Sequence, residues 1–238
     1  MLLSNGLFVV FCLALMLAGL MLAAWAGRLQ AIQFQTVKQL AALEQRRAIL
    51  YETSRALQRM DTDPEVLGLL FTALILDLRR MMELDPARKD LEKQLQDAEA
   101  ASKQKNAAPT AGGSAAVATE QELIVAQRHI QRALQVLGEL YRTDRISAGQ
   151  FESSRNQLRL LGLRVAVNSC LLMAQRSLEQ DDTVRAMSCY RRAESLLHMR
   201  GMPADEKQEK LAYIDAERQR VFEHTATGRN LLIMAAKS

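Results

Sequence analysis

Between Gly6 and Gly27 the chain reads GLFVVFCLALMLAGLMLAAWAG, without a charged side chain, and no other feature restricts its fold as strongly. A helix rising ~1.5 Å per residue carries this run across the ~30 Å apolar core of a bilayer with little to spare. Trp25 stands at the downstream edge, where an indole prefers the headgroup region, and Arg28 follows. The run is therefore expected to be a transmembrane helix, giving the chain contact with a membrane through residues 6–27. Ala24-Trp25-Ala26 has the small-x-small form of a signal-peptidase site. The preceding MLLSN has no Lys or Arg, and the apolar run is long for a leader, so an uncleaved anchor over 1–27 is the expectation. Cys12 follows Val9, Val10 and Phe11 rather than a lipobox, and reads as a small hydrophobe. Arg28, Lys38, Arg46 and Arg47 all lie after the span. The positive-inside rule then puts the N-terminus out and the bulk of the chain in the cytoplasm, an architecture that fits a bacterial inner-membrane protein crossing once. Gly19, Ala23 and Gly27, four apart, form a ladder at which a second membrane helix can approach closely. Ordinary lipid-facing composition is the alternative reading of that ladder.

Beyond the span, strand formers are scarce: aromatics are 5 % and Ala, Leu, Gln, Glu and Arg dominate, residues that lose little side-chain entropy in a helix. An all-α fold is expected. Leu29, Ile32, Thr36, Leu40, Leu43, Leu50 and Leu57 recur three, four or seven apart, so the helix should continue from the anchor to about Arg59 as a stalk or bundle helix. Asp63-Pro64 is a start signal, and Val66 to Leu76 is apolar on every side, the pattern of a helix packed all round. Asp85-Pro86 reads as a second start, of a polar helix to about Lys103. Residues 28–103 thus form a juxtamembrane helical region. Residues 104–118 (QKNAAPTAGGSAAVA) have one large apolar side chain, Val117, and read as a mobile linker. Thr119-x-x-Glu122 is a capping box opening a helix with Leu123, Ile130, Leu134, Leu137 and Tyr141 inward. Ser147 caps a helix bearing Phe151, Leu158, Leu161 and Val165 that runs to about Leu178. Asp181-Asp182 ends it and caps the next, and Gly201 and Pro203 precede a last helix to about Glu223. Thr225 to Gly228 reads as a break before an apolar tail. Residues 119–238 make up the C-terminal helical domain.

In that domain Ala174, Ala186 and Ala193 sit at spacings where two helices cross closely, with Met173 and Tyr190 as larger neighbours. Residues Cys170 to Ala193 resemble one tetratricopeptide (TPR) repeat, with Cys170 where an aromatic is usual and the closing proline displaced to Pro203. Leu134, Leu137, Gly138 and Tyr141 match the first helix of another such repeat. Leu137 to Leu161, with Ile146-Ser147 and Phe151, also resembles the helical hairpin of short C-terminal (SHOCT) domains. Both resemblances imply helical hairpins, protein binding or oligomerisation, and no enzymatic activity.

Catalytic, cofactor-binding and metal-ligating patterns do not emerge. His129, His198 and His224 lie far apart, none follows a Glu at the di-iron spacing, and no paired-cysteine, zincin, phosphate-loop or dinucleotide motif occurs. A net charge of +4 without basic clusters interleaved with aromatics argues against nucleic acid. No cofactor and no enzymatic role are expected. The leading expectation is a membrane-held scaffold or adaptor that binds a protein partner, with self-association through the anchor or the juxtamembrane helix also open. A chaperone-like accessory of export or envelope assembly, facing the periplasm, is the second reading, and an enzyme of unrecognised type the third. For the partner, Arg185, Arg192 and Arg200 are expected to form a basic rim. The tail residues Leu231, Leu232 and Ile233 are a second candidate contact.

Overall fold

The computed structural model describes residues 2–60, 62–103, 116–199 and 201–235. Side chains are described over 33–60, 62–102, 116–199 and 201–223, and before that at Met16, Met21, Trp25, Arg28 and Gln30. The described residues are all helical between their turns, without strands: α1 (Leu2–Arg59), α2 (Pro64–Leu84), α3 (Lys89–Lys103), α4 (Glu120–Arg142), α5 (Ala148–Glu179), α6 (Thr183–Leu197) and α7 (Ala204–Ala235). An all-α fold is thus what the chain adopts.

Helix starts follow local chemistry. The Asp63 carboxylate accepts from the Glu65 amide at 2.8 Å, and Pro64 opens α2, where its missing N–H is harmless. Thr119 and Glu122, then Ser147 and Gln150, form reciprocal capping boxes at α4 and α5. Asp182 accepts from the Arg185 amide at 2.9 Å and opens α6. Asp181 beside it takes φ 59°, a left-handed conformation that its short polar side chain tolerates.

Three expectations need correction. Asp85 does not open α3. Its amide donates to the Met81 carbonyl at 2.9 Å and closes α2, and α3 begins only at Lys89. Thr225 to Gly228 does not break the last helix, which continues to Ala235. One glycine costs a helix about 1 kcal/mol and threonine less, and no proline is present to stop it. On α4 the inward face is Leu123, Ala126, Ile130, Ala133, Leu137 and Leu140, whereas Tyr141 is 42 % exposed. Alternating steps of three and four define that face, and Tyr141 lies one residue beyond it, stacked on Phe151 with ring centroids 4.8 Å apart.

Two apolar clusters hold the helices. The larger unites Leu50 and Leu57 of α1, Val66 to Met81 of α2, Leu91 of α3, Leu123 to Leu140 of α4 and Leu158 to Val165 of α5. Segments 28–103 and 119–238 therefore contribute to one core, although 104–118 divide them in sequence. The second cluster joins Val167, Cys170 and Ala174 of α5 to Ala186, Tyr190, Ala193 and Leu197 of α6 and Ile214 of α7. Helix α5, about 48 Å long at ~1.5 Å per residue, serves both. Its Ser169 hydroxyl donates to the Val165 carbonyl at 2.6 Å and accepts the Val117 amide at 3.0 Å, fastening the strand of chain before α4 onto it.

Candidate functional site

Three faces qualify as interaction surfaces: the α4–α6 side of the hairpin, the far side of the same hairpin under α7, and the stalk of α1. On the first, Arg192 of α6 reaches Glu120 at the start of α4 at 2.8 Å, an exposed pair that holds its guanidinium protonated. Further along, Gln127 of α4 and Met199, just past the end of α6, line an open groove of about 630 Å³. Asn156, Arg159 and Leu163 of α5 form its floor with Leu196 of α6 alongside. Met199 is 59 % exposed at its rim. Such a groove offers apolar methylenes and a thioether between amide and guanidinium donors.

The expected rim is only partly assembled. Arg185 is exposed at the first turn of α6, and both it and Arg192 act on the Cys189 thiol, so the two share a face. Arg192 is committed to Glu120, however, and Arg200 lies outside the described residues. Leu231, Leu232 and Ile233 fall within the last turns of α7, with side chains outside the description. The same holds for Gly19 and Ala23. Gly27 is exposed, and a β-carbon there would meet nothing within 4 Å.

Under the hairpin, α7 is bound by polar ties. Arg164 grips Glu206 with two nitrogens at 3.0 and 2.8 Å, Lys210 donates to Asn168 at 2.8 Å, and Arg218 meets Glu194 at 2.6 Å. Ile214 is wholly buried and Val221 is 8 % exposed, whereas Phe222 points outward at 60 %. Ala174, Ala186 and Ala193 are wholly buried where α5, α6 and α7 meet. Small side chains there allow the backbones to approach, which is why α6 and α7 fit over one half of α5.

Titratable groups in the interior are few and sluggish. Burial pushes the Cys170 thiol up to about 11 and raises Cys189 too, so both are neutral thiols at physiological pH. His129 lies beside Thr53, with Nδ1 3.5 Å from its hydroxyl, and burial and then Arg132 depress its pKa. Among the described residues no three His, Cys, Asp or Glu side chains converge as a metal site. One ionic cluster escaped sequence reasoning. Arg46 of α1 bridges Asp77 of α2 at 2.8 Å and Glu139 of α4 at 2.6 Å, tying three helices together. Burial raises the Asp77 pKa despite Arg46. The only local signal was a lone acid closing the apolar stretch of α2, with nothing to indicate its partners.

Comparison with protein-family models, curated proteins and solved structures returns no match.

Proposed function

We propose that the protein is a membrane-held helical scaffold whose bundle binds another protein, with the bulk of the chain on the cytoplasmic side. The observation that carries this reading is the continuity of α1. One helix from Leu2 to Arg59 contains the uncharged run Gly6–Gly27 and, further along, the buried anchor points Leu50 and Leu57 of the bundle. Anchor and domain are thus parts of one rod rather than units joined by a tether. Among the helices whose side chains are described, α5 is long and apolar enough to cross a membrane, but half of that window is buried in the bundle. Half of that apolar window already faces protein, which favours Gly6–Gly27 as the segment for the bilayer. The resemblances to TPR and SHOCT hairpins support binding over catalysis, and the α4–α6 groove is the surface assigned to the partner.

The test is in two parts. Carbonate-washed membranes should retain the protein with its N-terminal residues intact, and recovery in the supernatant would end the anchor reading. A maleimide that cannot cross membranes should leave the half-buried Cys189 unlabelled in intact cells and label it after lysis. Labelling in intact cells would move the domain outside and favour the chaperone-like accessory instead.

A further inference from the structure

Among the described residues, the stalk of α1 presents an exposed apolar seam that no other helix covers, with Lys38 of α1 itself over the Phe34 ring. Phe34 and Val37 are 63 % and 64 % exposed, Tyr51 is 55 % exposed, and Ala41 and Ala48 between them are exposed as well. These five fall at steps of three, four and seven, and Glu44, held by Arg88, fills the one remaining place. At ~100° per residue they lie about 180° round the helix from Leu50, Thr53 and Leu57, which face the bundle. Among the described residues the bundle thus packs on one side of the rod and reaches the other only at Glu44, through Arg88.

We propose that this seam is a parallel dimer interface, taken by the same face of a second copy of the chain. It rests on the anchor reading for the parallel sense. Three observations select a second copy. First, the seven-residue spacing is that of a two-stranded coiled coil, in which each seam residue meets its own counterpart, and Ala41 and Ala48 let the backbones close in. Second, the same spacing read toward the N-terminus reaches Gln30, Gly27 and Ala23, so the small residues of the apolar run continue the seam's register without a stagger. Trp25, the bulkiest residue near that boundary, falls off the register. Third, Arg47 and Glu52 flank the seam five residues apart, the separation at which oppositely charged side chains of parallel strands meet. Arg47 uses one nitrogen on Gln94 of α3, and a guanidinium has five donors. A seam holding a Glu and two Ala is a weak coiled coil by itself. Confinement of both copies to one bilayer supplies the effective concentration that it needs.

The test is oxidative cross-linking of the full chain in native membranes, with Cys12, Cys170 and Cys189 replaced by alanine. Single cysteines are placed on the seam (Ala41→Cys, Ala48→Cys) and on exposed positions off it (Gln39→Cys, Ala42→Cys). Seam positions should give disulfide dimers at least about fivefold more abundantly than the off-seam pair. Val37→Asp, at an exposed site that leaves the bundle untouched, should reduce the Ala48→Cys dimer by about fivefold or more. Equal yields all round the helix, no dimer at any position, or indifference to Val37→Asp overturns the proposal. Cross-linking of Ala41→Cys to a co-expressed Ala48→Cys in preference to its own kind would overturn the parallel sense. Carbonate extraction of the same samples separates the two readings. Retained protein without seam dimers ends the dimer alone, and released protein that still dimerises ends the anchor alone.

Discussion

Tyr190 offers a test of the packing under the hairpin in which the sign of the effect is informative. Its side chain is wholly buried among α5, α6 and α7, and its hydroxyl has no hydrogen-bond partner among the described residues. A buried hydroxyl without a partner costs about 1–3 kcal/mol, so Tyr190→Phe should stabilise the protein, by about 1 kcal/mol once relaxation is allowed for. Tyr190→Ala removes the ring and leaves a cavity beside Ala174 and Ala193, with an expected loss of ~3–5 kcal/mol. Urea unfolding of the detergent-solubilised chain, followed by far-ultraviolet circular dichroism, reads both. With a slope of about 2 kcal/mol per molar, the Phe variant should move the midpoint up by about 0.5 M. Alkaline pH gives an independent arm. Burial pushes the Tyr190 hydroxyl up to about 12, so the folded chain keeps its proton where the unfolded chain, titrating near 10, has lost it. Stability is then intact below pH 10 and falls as the pH rises toward 12, and Tyr190→Phe should flatten that fall. A Phe variant less stable by 1 kcal/mol or more would show that the hydroxyl is satisfied and the packing argument wrong.

Limited proteolysis should cut first between residues 104 and 115, and the two fragments should then co-elute on size exclusion because they share one core; separation would refute the shared core. Ala186→Leu should cost about 1–3 kcal/mol by overpacking the α5–α6 crossing, and a thermal midpoint unchanged within error would contradict it. Asp77→Asn should cost less than about 1 kcal/mol at neutral pH, since the burial that raises the Asp77 pKa offsets what its pairing with Arg46 contributes. In the wild type, the contribution of Asp77 is fully present below the ordinary carboxylate range and is lost as pH rises through its elevated pKa. Acid should therefore favour this group in the folded chain, and a steeper acid loss in wild type than in Asp77→Asn would reverse that assignment. Removing Arg229–Ser238 should cost only the last turns of α7 and leave the remaining helical content and membrane retention unchanged while reducing recovery of a cross-linked partner; aggregation of the truncated chain would place the tail in the core instead.

What the sequence made legible was local. Caps at Asp63, Thr119, Ser147 and Asp182 each need only residues within one turn, and all four form. The apolar girth of Val66 to Leu76 correctly announced a helix packed on several sides, because a residue set without a polar face has nowhere else to go. Where reading depended on which of two adjacent residues faces inward, it slipped, as at Tyr141, since a one-residue step turns the helix by about 100°. Long-range facts were invisible. The Arg46–Asp77–Glu139 cluster, the α4–α6 groove and the union of both halves in one core depend on residues more than thirty positions apart. The break expected at Thr225 failed for another reason: weak helix formers only lower a helix's stability, and a stop needs proline or a competing cap.

The sharing of α5 between two cores has a consequence for how the chain is made. Its first half, around Leu158 and Leu161, emerges from the ribosome after α1 to α4, so its cover is already synthesised. Its second half, from Val167 to Ala174, waits for α6 and α7, which are still inside the tunnel or not yet translated. During that interval the chain displays a helix long and apolar enough to be read as a membrane span. The arginines at 155, 159, 164 and 176, which the finished bundle leaves largely at its surface, then act as a passport stamp against insertion. Whether α5 folds into the bundle or enters a bilayer would thus depend on a race between translation of α6 and recognition of α5, and slowing the ribosome between residues 180 and 215 is the intervention that would show it.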